Sequence, residues 1–220
     1  MGFNFSALLQ NGLDHLGLEV SGEGFSQLER YFLELKKWQR KVNLIAKSAT
    51  DSQIVENHFL DSLTLLPSLC EPECHLLDIG TGGGFPGLVC KSVLPELKLT
   101  LVEPRLKRVS FLKHIVRTLD LHNVAIHADR LENTLELCDD KSISHITCRA
   151  VTEIGPFLQM VESFSSTGAK VIIMKGPRWQ EELKAAGEIV AGSAFQLSDT
   201  VECSLPFSGA KRCLVSLCVK

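Results

Sequence analysis

The sequence predicts an α/β fold in which a mostly parallel sheet with an antiparallel C-terminal edge strand follows an N-terminal helical segment. Three observations carry this. The first seventy residues hold helical periodicity and no strand-like run. From His75 onward, short apolar runs alternate with amphipathic stretches about as long as a right-handed crossover needs. The chain then ends in two β-rich stretches around Pro206-Phe207-Ser208-Gly209, a combination that reads as a hairpin turn.

Residues 5–16 read as a helix that stops near Gly17. Over 24–46, Phe25, Leu28, Phe32, Leu35, Trp38, Val42 and Ile45 recur at spacings of three or four, so one apolar stripe faces inward and the basic residues face out. Asp51 or Ser52 caps a third helix through Leu69, which the Glu71-Pro72 step ends. Strands are expected at 75–80, 98–103, 123–128, 143–148 and 168–175, with the antiparallel pair at 194–204 and 211–219. The chain divides into residues 1–70, helical and packed on the core, and residues 71–220, the α/β domain.

At 220 residues, 45% of them hydrophobic and 22% charged, the chain can bury a sizeable core, which excludes disordered and fibrous classes. Its longest apolar runs are strand-length, so no membrane span is expected. Met1-Gly2-Phe3-Asn4-Phe5 lacks the basic lead of a secretory signal, and the expected location is cytoplasmic. Eight cysteines spread through such a chain read as reduced core thiols. Cys70, Cys74 and His75 form the one cluster with ligand-like spacing; without a second pair nearby, no metal is predicted.

The net charge is −3, yet Arg30, Lys36, Lys37, Arg40, Lys41 and Lys47 crowd one stretch and Arg105, Lys107, Arg108, Lys113 and Arg117 another. Solvated helix faces account for such stretches taken singly; a pair of them near a binding site favours nucleic acid modestly.

The chemistry centres on Asp78-Ile79-Gly80-Thr81-Gly82-Gly83-Gly84-Phe85-Pro86-Gly87, a buried strand ending in glycines, with a helix just beyond. Strand, tight turn and helix in that order indicate a nucleotide-type site. Residues 82–87 also satisfy the dinucleotide pattern G-x-G-x-x-G. Phe85-Pro86 argues against a pyrophosphate, because it puts an aromatic ring and a residue without an N–H where phosphate would sit. Asp78 would repel a pyrophosphate but suits a cationic amino-acid moiety, directly or through water. The antiparallel edge also differs from a dehydrogenase sheet. Together these favour S-adenosylmethionine, and with it the Rossmann-like sheet of a class I S-adenosylmethionine-dependent methyltransferase.

Glu103 ends the second strand, where a carboxylate can accept both ribose hydroxyls. Leu131 and Glu132 fall after the third strand, where backbone groups would read the adenine edge. Arg149 and Lys175 end the fourth and fifth strands, where the acceptor would meet the methyl donor. His58 and Asp61, one helical turn apart, either orient RNA or pair and pack against the sheet.

The sequence resembles the RsmG (GidB) family of bacterial 16S ribosomal RNA 7-methylguanosine methyltransferases. The resemblance rests on Trp38 with Asn43-Leu44, His58-Phe59-Leu60-Asp61-Ser62, the glycine segment 78–87, Lys107-Arg108-Val109-Ser110-Phe111-Leu112, Cys148-Arg149-Ala150 and Met174-Lys175-Gly176, in family order from about 30 to 215. It implies transfer of a methyl group to N7 of a guanine in the 530 loop of 16S RNA, on free RNA or the 30S subunit; a monomer is expected. It also implies cofactor contacts at Gly80, Phe85, Leu131, Glu132 and Arg149, with Glu103 at the ribose position; the residues' own pattern adds Asp78 and Gly82 to the cofactor contacts and gives Arg149 and Lys175 the positioning of the acceptor. Two departures stand out: Asn43-Leu44-Ile45 where the family often has Asn-Leu-Thr, and Glu103-Pro104 where it commonly has Asp-Ser. The competing readings are a class I methyltransferase on another RNA or a small molecule, and a non-catalytic RNA-binding ribosome-assembly protein.

Overall fold

The computed structural model describes residues 3–220, the side chain of Leu135 excepted; Met1 and Gly2 of the N-terminal segment lie outside the described residues. Helix α1, Phe5–Leu16, starts where the Asn4 side chain accepts the Ala7 N–H and stops at Gly17, whose left-handed conformation (φ 64°) turns the chain. Helix α2, Gly22–Trp38, is capped by Ser21.

The helix expected over 24–46 ends at Trp38. There the carbonyl of Trp38 takes the N–H of both Lys41 and Val42, and Arg108 donates to the carbonyl of Asn43 at 3.3 Å. The apolar period runs on through Val42 and Ile45, but the chain leaves the helix to bury Leu44 and Ile45, with Leu44 beside Gly83. Tertiary burial outweighs the continuing helical pattern.

The next helix begins one residue before the expected caps. Thr50 and Gln53 form a reciprocal capping box. Helix α3 then runs through Asp51–Ile54, a π-helical turn Val55–Leu60, and Asp61–Leu63, followed by a 3-10 turn Leu66–Leu69. A π turn widens the helix locally, so side chains on either side of it depart from simple three- and four-residue spacing.

The strands are β1 His75–Ile79, β2 Lys98–Val102, β3 Val124–His127, β4 His145–Arg149, β5 Lys170–Lys175, β6 Phe195–Ser204 and β7 Lys211–Val219. They form one sheet in the order β3-β2-β1-β4-β5-β7-β6. β1 to β5 are parallel; β7 runs antiparallel to β5, and β6 pairs with β7 on the outside. The last strand therefore lies inside the hairpin, while β6 forms the sheet's edge. Seven strands and a hairpin edge match the architecture read from the sequence.

Each side of the sheet has its own core, separated by the two-residue period of the strands. Leu76, Leu99, Leu101 and Ile172 pack with Leu9, Leu28, Phe59 and Leu88, so α1 to α3 share this face with α4 (Gly87–Val93) and α5 (Leu106–Thr118). Leu77, Val102, Ile146 and Ile173 pack on the other face with Phe157 and Leu158 of α6 (Ile154–Val161) and Ala186, between α7 (Trp179–Ala185) and α8 (Gly187–Gly192). No helix among the described residues is long and apolar enough to cross a membrane.

Tyr31 lies outside the predicted apolar stripe of α2, yet it is fully buried and donates its hydroxyl to the Gly83 carbonyl at 2.5 Å. That bond ties the N-terminal helices to the glycine segment. A Cβ on Gly84 would sit 2.1 Å from the Tyr31 hydroxyl oxygen, and its φ of +87° disfavours any side chain. We expect Gly84→Ala to cost about 2–5 kcal/mol, from overlap and backbone strain together. Tyr31→Phe should cost about 1–2 kcal/mol for the unsatisfied carbonyl. The double variant should recover part of the Gly84→Ala loss, because the hydroxyl is the obstructing atom. Urea unfolding midpoints check this; strict additivity would refute the proposed overlap.

Candidate active site at the switch point of the sheet

β1 lies between β2 on one side and β4 on the other, so the crossovers diverge at the C-terminal ends of β1 and β4. Open parallel sheets form their ligand crevice there. Gly80 stands at one lip and Arg149 at the other, and a Cβ on Gly80 would lie 2.7 Å from a methyl of Val151.

The glycine segment is shaped from beneath by Asp78. Its carboxylate oxygen Oδ2 accepts the Thr81 hydroxyl at 2.6 Å and the Gly87 N–H at 2.8 Å, while Oδ1 is buried without a hydrogen-bond partner among the described residues. Burial raises its pKa to about 6, against the lowering effect of Thr81, Gly87 and Arg149. Asp78 thus organises the loop from below, and only its unpartnered oxygen is left for a ligand or a water.

Glu103 is 2% exposed. It accepts the Gly82 N–H and the Arg105 N–H, both at 2.9 Å, with the Arg108 guanidinium 3.6 Å away. A carboxylate offers about four acceptor positions, so two backbone donors leave room for a ribose hydroxyl. Leu131 packs its side chain into the core while Glu132 is exposed on the same 3-10 turn. Asp129 stabilises that turn by accepting from Arg130 N–H and the Asn133 side chain.

Arg149 is held on three sides. It donates to the Asn57 carbonyl at 2.7 Å, to Asp61 at 3.1 Å and to His58 Nδ1 at 3.1 Å, and its guanidinium lies 5.2 Å from the centre of the Phe85 ring. The other Asp61 oxygen accepts from Arg212 on β7 at 3.0 Å. His58 and Asp61 therefore pair and pack, one of the two roles the sequence left open. The π turn brings Asn57, His58 and Asp61 onto one guanidinium, an arrangement that helical spacing alone does not show. Arg212 had no signal in the sequence, because only strand pairing brings β7 beside β5.

Burial, and secondarily the Arg149 charge, pulls the His58 pKa down to about 3. Burial also lowers that of Arg149, against the raising effect of Asp61. His58 is thus neutral at physiological pH and accepts through Nδ1, leaving its proton on Nε2.

Beyond Arg149 a cavity of about 700 Å³ opens across the ends of β4 and β5, with Lys175, Arg178, Glu182 and Arg212 on its walls. Lys175 donates to the Thr152 carbonyl at 2.6 Å and forms an ion pair with Glu182, also at 2.6 Å. These contacts hold its ammonium against the cavity wall at the end of β5. On the opposite end of the sheet, His75 spends both ring nitrogens on Ser142 and Thr100, and Cys74 lies against His145.

A family model for GidB, rRNA small subunit methyltransferase G, matches residues 25–213. The chain belongs to this family. A ribosomal RNA small subunit methyltransferase G of Desulfotalea psychrophila is 54% identical over 217 residues, covering 99% of this chain and all of that protein. Its counterpart in Syntrophus aciditrophicus is 35% identical, covering 94% and 87%. Among solved structures, a SAM-dependent methyltransferase from Aquifex aeolicus superposes with a TM-score of 0.54 at 20% identity, over 84% of this chain and 98% of that one. A precorrin-6y C5,15-methyltransferase from Geobacter metallireducens gives 0.52 at 12% identity, over 80% and 92%. These two likenesses show the class I methyltransferase fold.

Two outcomes follow from the geometry. Asp61→Asn leaves two arginines facing a neutral amide and should destabilise the protein by about 3–5 kcal/mol, with Arg212→Leu less than additive on top of it. Chemical denaturation checks both. The second concerns pH. An unfolded imidazole titrates near 6.5 and folded His58 near 3, so below 6.5 the unfolded chain binds a proton that the folded chain excludes, and stability falls with pH. Asp78 has the opposite sign between about 6 and 3.8. The difference between the parent and His58→Asn isolates the imidazole: from pH 7 to pH 4 the parent should lose stability more steeply. Parallel curves would show that folded His58 titrates normally.

Proposed function

We propose that the protein transfers a methyl group from S-adenosylmethionine to N7 of a guanine in 16S ribosomal RNA, in the 530 loop and on free RNA or the 30S subunit. The observation that carries this reading is the junction at the switch point. The glycine segment and Glu103 lie on one side of Arg149 and an open cavity lies on the other. Family membership supports ribosomal RNA as the acceptor.

The residues fit the cofactor. Gly80 and Gly82 allow close backbone approach, the spare acceptor positions of Glu103 suit ribose hydroxyls, the buried unpartnered oxygen of Asp78 suits a cationic amino group, and Phe85 offers an apolar face. In this reading, backbone groups of the Leu131 and Glu132 turn read the adenine edge. The cofactor supplies an electrophilic methyl group on a sulfonium.

Guanine N7 has a lone pair and no proton, so its attack requires no general base. The work left to the chain is alignment and charge management. Arg149, fixed by Asn57, His58 and Asp61, forms the wall shared by the cofactor side and the cavity, and positions the acceptor from there. Lys175 acts through Glu182 and Thr152 by holding the far wall. The base enters unstacked, with the basic stretches tracking its phosphates.

Methyl transfer from labelled cofactor to 30S subunits or 16S RNA, mapped by N7-specific cleavage, tests the reading. Label on one guanine N7 is expected; label on another atom, or only on protein, would overturn it. Glu103→Gln should raise the cofactor dissociation constant about tenfold or more by calorimetry. An unchanged constant would remove Glu103 from the ribose position.

A further inference from the structure

Away from the reaction cavity, the end of α2 and the start of α5 border a groove of about 550 Å³ lined by Lys37, Trp38, Lys41, Val42 and Lys107. Its apolar part is Trp38 and Val42. The indole is held in place by Phe111 and His114, with ring centres 5.6 and 5.0 Å away. Its rim is cationic, and no carboxylate among the described residues lines it.

The basic residues around the groove divide by their partners. Lys36 is tied to Asp51, and Lys37 shares Glu34 at 2.6 Å. Lys41 and Lys107 are exposed and have neither an ion pair nor a side-chain hydrogen bond among the described residues, and Arg40 and Arg105 are exposed nearby. Beside Lys107, Arg108 reaches the Asn43 carbonyl and approaches Glu103, with its guanidinium 3.6 Å from where a Cβ on Gly82 would be. The cationic rim therefore runs from the groove to the edge of the glycine segment.

We propose that this groove is a second nucleotide-binding site, which stacks an unpaired base of the RNA substrate on Trp38 while Lys41 and Lys107 hold the flanking phosphates. It rests on the reading that the substrate is RNA. An aromatic platform with a rim of uncompensated cations is the chemistry that binds single strands without sequence preference. An acidic protein segment would use the lysines but give the indole no flat partner. The site adds a grip on the strand outside the reaction cavity, so that one nucleotide is anchored while another enters the cavity.

The chain has two tryptophans, so Trp179→Phe leaves Trp38 as the sole indole reporter. Titration of that protein with single-stranded octaadenylate should quench its fluorescence saturably, with a dissociation constant that rises with salt. Lys41→Glu/Lys107→Glu should weaken binding tenfold or more and lower the log–log salt slope by about 1–2. Trp38→Leu, which keeps apolar volume against Phe111, should weaken binding roughly five- to a hundredfold, with its fold verified by circular dichroism. Cofactor affinity of the lysine variant should match the parent.

Absence of quenching, or unchanged octaadenylate affinity in the lysine variant, overturns the proposal. So does self-association in the ultracentrifuge that the lysine variant abolishes, which would assign the groove to a second copy of the chain. Failure here is separable from failure of the ribosomal reading. Quenching that persists in a protein unable to methylate 16S RNA supports the groove and removes the substrate, whereas correct N7 methylation with parental KM by the lysine variant removes the groove alone.

Discussion

The buried carboxylate of Asp61, shared between Arg149 and Arg212, is the interaction on which the rest of the site depends. It binds three segments far apart in sequence: α3 just past its π turn, the end of β4 and the antiparallel strand β7. Taking such charges from water costs several kcal/mol per ion, so the arrangement is favourable only while every partner is present. Here Asn57 and His58 add a hydrogen bond on each terminal nitrogen of Arg149 beside the Asp61 ion pair. What the cluster gains is position, since a guanidinium held on three sides cannot swing away from the switch point.

The same α3 segment secures the hairpin. Glu56 accepts the backbone N–H groups of Phe207 and Ser208 at 2.8 and 2.7 Å, at the turn between β6 and β7. One helix thus fixes the strand that carries Arg212 and the arginine opposite it. Tyr31 does the corresponding work for α2 at the glycine segment. The N-terminal helices therefore share a core with the sheet and also hold both lips of the crevice.

Charge is divided within the site. Asp78 and Glu103 lie beneath and beside the glycine segment, and their oxygens go mainly to backbone N–H groups. The cavity walls carry Arg149 and Arg212, which share the Asp61 carboxylate, together with Lys175, paired with Glu182, and Arg178. The uncompensated cations lie farther out, in the turn after α2 and at the start of α5. A polyanion is thereby attracted to the rim.

The sequence by itself determined the elements that depend on local pattern. Alternating apolar runs produced all five parallel strands within a residue or two, Gly17 ended α1 where expected, and Pro206 to Gly209 turned the hairpin. The glycine segment was legible because strand, tight turn and helix are neighbours in the chain. Tertiary structure decided what long-range burial controls. It ended α2 at Trp38, because Leu44 and Ile45 find a better place against the loop than on a helix. It committed Lys175 to Glu182 and placed β7 inside β6, which delivered Arg212 to Asp61. No periodicity within one segment encodes which distant segment packs beside it; that choice is made by the summed burial and charge pairing of the folded chain.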